Sequence, residues 1–383
     1  KYDEANRLIQ RIRPDGKSIL FTYDANGNLT SVTTSEKNTH LLTYNIMELA
    51  ESYLPPAINA KLFGSTHYNY NLDQQLTQVT RSDGTRIDFN YDATTGLLQS
   101  ILSGDGSSNF IYYPKSDLVK TLTSANGESL SFQYAGRLPL VIQNAGQIQS
   151  EIRYGYNLDG SLKTVSVQDG RGTVSQIETT YDNDGLIKST GELQFDRNDF
   201  GAITKSSLQR VQQVSGYNGF GEKTSDKFYD ISKTLAEYSY TRDSAGRINT
   251  IKESRNGVLR ETYFRYDLEG RVQQVFPPRG VAPRGYSYDA NGNRLSAKTV
   301  KGLVTADYDS QDRLVRYGQT VFSYSENGNL IEKIEAPRPG NWGGLNWSDA
   351  ERRSQKVTSY SYDTFNNLVS VTLPNLNKID YVY

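Results

Sequence analysis

Short stretches in which every second residue is apolar occur along the whole chain, and most of them end in a tyrosine. Residues 19–23 (Ile-Leu-Phe-Thr-Tyr) and 87–91 (Ile-Asp-Phe-Asn-Tyr) are examples. A period of two with aromatic and β-branched residues is typical of a half-buried strand. No helical period of useful length accompanies these stretches. The pattern therefore predicts an all-β protein.

The residues after each tyrosine have the chemistry of a turn. Tyr23 begins the sequence Tyr-Asp-Ala-Asn-Gly-Asn-Leu, which ends at Leu29. An aspartate side chain bonds turn backbone, and glycine or asparagine accepts a positive φ. Beyond the turn, apolar residues often lie three apart, as Leu29 and Val32 do. This departure from alternation predicts a β-bulge in the strand that follows the turn.

A second turn signal lies about midway to the next tyrosine. The sequence there is aspartate or asparagine followed by glycine, which is a strong hairpin signal. These pairs are Asp15-Gly16, Asp83-Gly84, Asn126-Gly127 and Asn256-Gly257. Each repeat of about 21 residues is therefore predicted to be a turn, a strand, a tight turn and a second strand.

The tyrosine-headed motif recurs along the chain at steps of mostly 20 to 23 residues. We assign a structural role to the Tyr-Asp pairs Tyr2-Asp3, Tyr23-Asp24, Tyr91-Asp92, Tyr181-Asp182, Tyr266-Asp267, Tyr288-Asp289, Tyr308-Asp309 and Tyr362-Asp363, and to the turn glycines Gly27 and Gly292. Looser copies are headed by Tyr44, Tyr70, Tyr113, Tyr134, Tyr156, Phe195, Tyr217, Tyr240 and Tyr324. Residues 1–383 are thus predicted to be one array of about 18 repeats. Because the chain opens with neither an initiator methionine nor a signal peptide, we expect it to be truncated at both ends.

Strand geometry limits how such an array is arranged. Roughly 36 strands at ~4.8 Å spacing make a ribbon ~170 Å long and ~20 Å wide, which must twist and coil. One turn of this ribbon makes a hollow ring ~55 Å across, whereas two turns make a ring narrow enough to fill with side chains. The apolar content of 36% favours the thin-walled ring. We also expect the tyrosines of successive repeats to stack as aromatic ladders.

Composition and motif searches exclude several classes of function. With 42 basic and 43 acidic residues, the chain has no general electrostatic reason to bind nucleic acid or acidic lipid. No run of 18 apolar residues exists, so no membrane-spanning segment is predicted. The absence of cysteine excludes thiolate catalysis and cysteine-ligated zinc within the chain.

Candidate catalytic and metal-binding residues have a simpler structural interpretation. The aspartates of the Tyr-Asp pairs recur at one position, which indicates a role in the fold rather than in acid–base catalysis. His40 and His67 lie outside any metal-ligand spacing. Asp24, Asn26 and Asn28 have the spacing of a calcium loop but lack its downstream glutamate. We therefore expect no catalytic, cofactor-binding or metal-binding residue, and no enzymatic activity.

The repeated motif Tyr-Asp-x-x-Gly-Asn/Arg-Leu resembles the YD repeats of the Rhs family. That family includes bacterial Rhs polymorphic toxins, the C component of Tc toxins, bacterial wall-associated proteins and animal teneurins. The resemblance covers essentially all of residues 1–383 and implies a β-hairpin ribbon coiled into a hollow spiral shell, here a fragment of a larger one. The segment in which toxin members cleave themselves, marked by an Asp-Pro-x-Gly-type motif, has no counterpart, since the chain contains no Asp-Pro dipeptide.

The resemblance implies two functions. The first is a shell segment of a bacterial Rhs or Tc-type toxin that encapsulates a C-terminal effector until delivery. Its partners would be that effector, the remaining shell segments and a secretion or delivery component. The alternative is a cell-surface adhesion or carbohydrate-binding scaffold of the teneurin or wall-associated type, with glycans as partners. Either function implies secretion or export to a bacterial cell surface. The absence of a non-repeated acidic constellation disfavours a third interpretation, a sheet-rich glycosidase.

One insertion interrupts the array. The step from Tyr324 to Tyr362 is 38 residues, and residues 335–350 form the predicted extra loop. This loop contains both tryptophans of the chain, Trp342 and Trp347. Such a loop either contacts a partner or a sugar, or packs against the shell from inside.

Overall fold

The computed structural model describes residues 1–58, 64–147, 149–231, 233–335 and 355–381. These described residues form 34 β-strands and no helix. None of the described residues belongs to a helix that could span a membrane. The prediction of an all-β chain is confirmed.

The chain divides into two compact units. Unit 1 comprises Lys1–Ser108 and Gly285–Tyr383, and unit 2 comprises Asn109–Arg284. Ten strands start in the first segment of unit 1, and the last of them continues into unit 2. They are β1 (Gln10–Ile12), β2 (Ser18–Tyr23), β3 (Leu29–Thr33), β4 (Thr39–Tyr44), β5 (Ala50–Leu54), β6 (Thr66–Tyr70), β7 (Leu76–Thr80), β8 (Arg86–Tyr91), β9 (Leu98–Ser103) and β10 (Gly106–Tyr112).

Unit 2 continues with β11 (Val119–Thr123), β12 (Ser129–Ala135), β13 (Leu138–Ala145), β14 (Ser150–Tyr156), β15 (Leu162–Asp169), β16 (Val174–Tyr181), β17 (Ile187–Thr190), β18 (Leu193–Arg197), β19 (Ile203–Leu208), β20 (Val211–Tyr217), β21 (Lys223–Asp230), β22 (Lys233–Arg242), β23 (Ile248–Arg255), β24 (Val258–Tyr266) and β25 (Val272–Phe276). Unit 1 resumes with β26 (Arg284–Tyr288), β27 (Arg294–Thr299), β28 (Gly302–Tyr308), β29 (Leu314–Tyr317), β30 (Thr320–Tyr324), β31 (Leu330–Glu335), β32 (Lys356–Tyr362), β33 (Leu368–Thr372) and β34 (Lys378–Asp380).

Each strand pairs with its neighbour in the chain, and each pair is antiparallel. Within unit 1 this holds from β1 to β9 and from β26 to β34, as in the pairs β2–β3 and β32–β33. Within unit 2 it holds from β11 to β25, as in the pairs β20–β21 and β24–β25. Because successive turns of such a meander lie on opposite sides, each unit has two edges made of turns.

The two edges carry the two turn types that the sequence predicts. We call the edge with the turns that follow the motif tyrosines the motif edge, and Asp24–Asn28 is an example. The other edge, which we call the hairpin edge, carries turns such as Arg13–Lys17. The turn at Asn256-Gly257 on the hairpin edge has φ values of 51° and 76°, as a tight two-residue hairpin turn requires.

A β-bulge follows most motif turns, as the spacing of apolar residues predicts. Thr22 pairs with Ser31, whereas Tyr23 pairs with Leu29, so one extra residue stands opposite the end of β2. The same register shift follows Tyr91 and Tyr266. A bulge at the same place in repeat after repeat increases the twist of the sheet at each motif edge.

The interior of the sheet is shallow. The accessible surface is 24765 Å², whereas a compact monomer of 43.0 kDa would expose about 15,000 Å². Among the described residues the buried apolar side chains are few and mostly small, and none of them is fully buried: Ile87, Val141, Ala236, Ala297, Ala306 and Val371. Stability therefore depends mainly on contacts between neighbouring strands rather than on a thick core.

Candidate functional site

The motif aspartate organises the turn that follows it. Oδ1 of Asp24 accepts a hydrogen bond from the main-chain nitrogen of Asn28 at 2.8 Å, and Oδ2 accepts one from Nδ2 of the same residue at 3.0 Å. Gly27 closes the turn with φ of 96°, in the left-handed region that glycine tolerates. Gly292 has φ of 100° in the equivalent turn after Asp289. The structure thus gives Gly27 and Gly292 the same place in their turns.

In most of these turns the residue four positions after the aspartate is an arginine or an asparagine, whose side chain hydrogen-bonds the carboxylate and favours its charged form; after Asp92 and Asp182 it is Gly96 and Leu186. Nε of Arg271 donates to Oδ2 of Asp267 at 2.6 Å. The hydrogen bond from the side chain of Asn28 is the main reason that the pKa of Asp24 lies below its ordinary value. In Asp243, the hydrogen bond from the side chain of Arg247 lowers the pKa in the same way.

The motif tyrosine links its repeat to the previous one. Its hydroxyl donates to the main-chain oxygen of the residue that pairs with the motif residue of the previous repeat, as from Tyr44 to Leu29 at 3.0 Å and from Tyr91 to Leu76 at 2.9 Å. The same bond joins Tyr23 to Leu8, Tyr70 to Ala50, Tyr134 to Val119, Tyr156 to Pro139, Tyr181 to Leu162, Tyr217 to Ile203, Tyr266 to Ile248, Tyr308 to Arg294 and Tyr324 to Leu314.

Ring stacking between successive motif tyrosines is less general than we expected. In the described part of the chain, tyrosine rings of successive repeats meet at Tyr113 and Tyr134, edge to face with centroids 6.1 Å apart, and Tyr113 adjoins the motif position rather than occupying it. In three other described repeats an arginine of the preceding turn lies on the tyrosine ring, as Arg7 does on Tyr23 and Arg313 on Tyr324. The guanidinium carbon of Arg247 is 4.7 Å from the ring centroid of Tyr266. The same arginine pairs with the turn aspartate, so one side chain connects the aspartate of one repeat with the tyrosine of the next.

Among the repeats that the structure describes, two use arginine in the place of the motif tyrosine, which corrects the assignment of Phe195 and Tyr240. The register shift that marks the motif position falls at Arg197 and Arg242, two residues later. Nη1 of Arg242 donates to the main-chain oxygen of Lys223 at 2.8 Å, the carbonyl that a tyrosine would reach. Nη2 of Arg197 reaches the corresponding oxygen of Ile187 at 3.2 Å. Guanidinium groups therefore substitute for phenols as donors to the same acceptor.

Tyr113 is also displaced from the position that the sequence indicated. Tyr112 pairs with Val119 across the register shift and so occupies the motif position. Tyr113 stands where other repeats have aspartate, and its main-chain nitrogen bonds the oxygen of Leu118 at 2.9 Å. Because the two tyrosines are adjacent, the repeat pattern alone does not show which of them occupies the motif position.

Tyr240 does not occupy the motif position and contacts a buried carboxylate instead. Its hydroxyl donates to Oδ2 of Asp226 at 3.2 Å. Oδ1 of Asp226 accepts from Oγ of Ser215 at 2.6 Å and from Nζ of Lys223 at 2.9 Å. Burial, together with the charge of Asp226, raises the pKa of Tyr240 to about 12. Tyr240 therefore stays a neutral donor, and the carboxylate is satisfied by the protein itself.

Within unit 1 the motif edge of residues 285–383 contacts the hairpin edge of residues 1–108. We call this contact the seam. Nη1 of Arg13 donates to the oxygen of Ala290 at 2.5 Å, although the two residues are 277 positions apart. The main-chain nitrogen of Ala290 in turn donates to Oε1 of Glu36 at 2.8 Å, and that of Glu36 to Oδ1 of Asn291 at 3.1 Å. Polar groups of both turns thus satisfy each other directly.

The seam continues through successive turns in the same order. Nε2 of Gln311 donates to the oxygen of Pro56 at 2.9 Å. Nδ2 of Asn327 donates to Oδ2 of Asp83 at 2.6 Å, and Arg81 donates to the oxygen of Thr364. A cavity of about 460 Å³ lies in the seam, lined by residues that include Tyr68, Val79, Arg81, Ser82, Gln311 and Asn366.

The other residues that we selected from the sequence have local partners. Tyr2 is 64% exposed, and Asp3 bonds Arg7 in the same turn. Nδ1 of His40 lies 2.7 Å from the hydroxyl of Tyr53, and Nε2 of His67 lies 2.6 Å from Oγ of Ser65. No group of three or more histidine, aspartate and glutamate residues in the described ranges is placed to hold a metal ion. The loop at 335–350 falls outside the described residues after Glu335, and so do Trp342 and Trp347.

The remaining Tyr-Asp pairs occupy equivalent turns. Oδ1 of Asp92, Asp182, Asp289, Asp309 and Asp363 accepts main-chain hydrogen bonds from within the turn that each begins. Tyr288 and Tyr362 stand at the register shifts that mark the motif position. The structure therefore places these selected residues in one repeated arrangement rather than in one site.

Sequence comparisons place the chain among proteins with this repeat. A family model, the teneurin YD-shell, matches residues 1–383. Human Teneurin-4 is 24% identical over 421 residues, which take in 100% of this chain and 15% of Teneurin-4. Teneurin-m of Drosophila melanogaster is 25% identical over 423 residues, with 100% and 15% coverage. The chain thus spans about 15% of the length of these relatives.

A solved structure shares the fold. The crystal structure of TcdB2-TccC3 aligns with 98% of this chain and 24% of its own chain, with a TM-score of 0.56 and 14% identity. At that identity the likeness concerns the fold alone. It confirms the predicted fold class, a YD-repeat β-hairpin ribbon of the shell type.

Proposed function

Because the chain belongs to the teneurin YD-shell family, we propose that residues 1–383 form part of the wall of a hollow shell and act as a scaffold without catalysis. The observation that carries this proposal is the seam in unit 1. There, residues as far apart in sequence as Arg81 and Asn366 are joined by a hydrogen bond of 2.8 Å. A ribbon whose two edges bond each other makes a continuous surface, which is what a wall needs.

The chemistry of the motif supports the scaffold role. A catalytic carboxylate needs access to substrate and a pKa suited to proton transfer. The motif aspartates instead accept two or more hydrogen bonds within their own turns, as Asp267 does from Glu269 and Arg271. The same use in repeat after repeat indicates that these carboxylates hold turns together.

We propose further that the shell encloses a C-terminal effector and belongs to a bacterial toxin of the Rhs or Tc type. The fold likeness to TcdB2-TccC3 supports this assignment. In this function the wall keeps the effector apart from the producing cell until a delivery component accepts it, and the protein is exported. The partners of residues 1–383 are then the effector and the rest of the shell.

The second candidate is a cell-surface scaffold of the teneurin type. The sequence relatives favour it, since Teneurin-4 and Teneurin-m match the whole chain. In this function exposed loops bind a protein or a glycan, and the predicted loop with Trp342 and Trp347 is the first place to test.

The state of the natural full-length gene product separates these functions. It is purified without denaturant, and its polypeptides are then separated by denaturing electrophoresis and weighed by mass spectrometry. An encapsulating shell yields a second, smaller polypeptide that coelutes in native buffer and separates only on denaturation. A single uncleaved polypeptide extracted from the cell surface contradicts encapsulation and supports the surface scaffold.

A further inference from the structure

Asparagine followed directly by glycine occurs six times along the chain, and the structure gives these pairs different surroundings. The pairs begin at Asn26, Asn126, Asn218, Asn256, Asn291 and Asn327. In water such a pair is chemically reactive, because the main-chain nitrogen of the glycine attacks the side-chain amide carbon of the asparagine. Glycine has no side chain to hinder this attack. The hydrogen bonds around each pair therefore decide which of them reacts in the folded protein.

Four of the six glycine nitrogens donate a hydrogen bond to the main-chain oxygen three residues earlier. These bonds run from Gly27 to Asp24 at 3.2 Å, from Gly127 to Ser124 at 3.0 Å, from Gly292 to Asp289 at 3.3 Å and from Gly328 to Ser325 at 3.0 Å. A nitrogen that shares its proton with an oxygen must break that bond before it attacks. The turns thus protect these four pairs.

The pair Asn218-Gly219 is protected through its side chain. Oδ1 of Asn218 accepts hydrogen bonds from the main-chain nitrogens of Phe220 at 3.0 Å and Glu222 at 2.9 Å. Nδ2 of Asn218 donates to Oε2 of Glu222 at 2.7 Å. Because three bonds hold this amide in the turn, its carbon does not turn towards Gly219 without losing them.

The pair Asn256-Gly257 has neither kind of protection. Both residues are exposed at the tip of the hairpin β23–β24. A Cβ added to Gly257 would meet nothing within 4 Å. Within the described ranges, no hydrogen bond involves the side-chain amide of Asn256 or the main-chain nitrogen of Gly257. Arg255 and Val258 pair beside the turn, as in a two-residue hairpin. The attacking nitrogen and the amide carbon are therefore both free.

We propose that Asn256 is a site of spontaneous chemical modification, at which the chain forms a succinimide ring with Gly257. The nitrogen of Gly257 bonds Cγ of Asn256, the bond from Cγ to Nδ2 breaks, and ammonia leaves with the proton of the Gly257 nitrogen. Water then adds to one of the two ring carbonyls and opens the ring, which gives aspartate or isoaspartate. Because the tip contacts nothing outside its hairpin, it opens locally at little cost to reach the geometry of attack.

The isoaspartate product no longer fits this turn. Asn256 and Gly257 have φ values of 51° and 76°, which an asparagine–glycine pair tolerates in a two-residue turn. Isoaspartate adds a methylene to the main chain, so the ends of β23 and β24 lose their register. Arg255 lies at that end, and its Nη2 donates to the hydroxyl of Tyr238 at 3.0 Å. We therefore expect the hairpin to fray from Arg255 and Val258 as the protein ages.

Ageing of the natural full-length product tests the site. After incubation at pH 8 in water labelled with heavy oxygen, peptide mass spectrometry should find deamidation at Asn256 at least fivefold faster than at the other five pairs. The product should contain one labelled oxygen, from the water that opens the ring. Urea-denatured protein is the control, in which all six pairs should react at similar rates. No reaction at Asn256, or an equal rate at another pair in the folded protein, overturns the proposal.

A matched variant tests the effect on the hairpin. Asn256→Gly removes the amide and keeps a residue that adopts a positive φ. In the full-length product, hydrogen exchange of residues 254–259 should rise at least tenfold in aged wild type and stay unchanged in the equally aged variant. An equal rise in the variant, or no rise once Asn256 has been converted, contradicts the fraying of the hairpin. Neither result depends on whether the shell encloses an effector, so this inference and the proposed function fail separately.

Discussion

The hydroxyl of Tyr44 donates to the main-chain oxygen of Leu29 at 3.0 Å, and this bond joins one repeat to the one before it. Leu29 begins β3 and lies opposite Tyr23 across a β-bulge, so the oxygen belongs to the strand residue that directly follows the turn of the previous repeat. In a repeat array stability is approximately a sum of such neighbour contacts. Tyrosine therefore recurs because each repeat needs a hydroxyl donor at this place as well as an apolar ring.

Removing only the hydroxyl of Tyr91 should destabilise the array locally. Tyr91→Phe keeps the ring but leaves the part-buried oxygen of Leu76 without its donor, at a cost of about 1 kcal/mol. Tyr91→Ala removes ring contacts as well and should cost more. Hydrogen exchange around residues 76–77 and 91–97 measures both effects. Tyr2→Phe is the control and should leave exchange unchanged, because Tyr2 is 64% exposed. Unchanged exchange in both Tyr91 variants would contradict the role of the tyrosine hydroxyl in joining repeats.

Arg242 should be replaceable by the residue that the other repeats use. Arg242→Tyr offers a hydroxyl to the oxygen of Lys223 and should retain most of the stability, whereas Arg242→Ala should cost about 1–3 kcal/mol because it removes a charged donor. Denaturant unfolding of the two variants measures the difference. Arg260→Ala, at an exposed position of β24, is the control. Equal losses in the tyrosine and alanine variants would contradict the substitution of guanidinium for phenol.

Acid should loosen the motif turns. The hydrogen bond from Asn28 lowers the pKa of Asp24, and that from Arg247 lowers the pKa of Asp243. A carboxyl whose pKa is lower in the folded than in the unfolded protein contributes stability that is fully present above its unfolded value. That stability is lost as the pH falls below about 4, towards the folded pKa. Thermal unfolding between pH 2 and pH 7 should show this loss, and Asp24→Asn with Asp243→Asn should flatten it. An unchanged slope would contradict the role of the turn carboxylates.

The repeat and its strands could be predicted from sequence because each signal is local. Alternation before Tyr23, turn residues after it and the spacing of Leu29 and Val32 all lie within one hairpin. The arginine substitutions could not be predicted, since Phe195 and Tyr240 offered an aromatic residue close to the expected place. Only the strand register at Arg197 and Arg242 shows which side chain reaches the acceptor that the tyrosines of other repeats use.

A tyrosine followed by aspartate is not sufficient to define the motif edge. Tyr229-Asp230 has this sequence, yet β21 ends there at the hairpin edge. Asp230 pairs with Arg210 instead of closing a motif turn. The direction of the strand, which depends on the number of preceding turns, decides the edge. The seam could not be predicted for a related reason, since Arg13 and Ala290 are 277 residues apart.

An engineered disulfide should lock the seam. Oγ of Ser82 lies 3.0 Å from Oδ1 of Asn327, and the chain has no cysteine of its own. Ser82→Cys with Asn327→Cys should crosslink under mild oxidation and migrate differently on a nonreducing gel. Either cysteine alone is the control and should leave migration unchanged. Failure of the pair to crosslink in the folded protein would contradict the edge contact.

The most direct test of the account is an electron cryomicroscopy reconstruction of the natural full-length gene product. We predict a hollow chamber whose wall includes residues 1–383, with Arg81 bonded to Thr364 where the motif edge meets the hairpin edge. A reconstruction in which residues 1–108 and 285–383 do not touch, or in which the sheet packs on a solid core, would contradict the account.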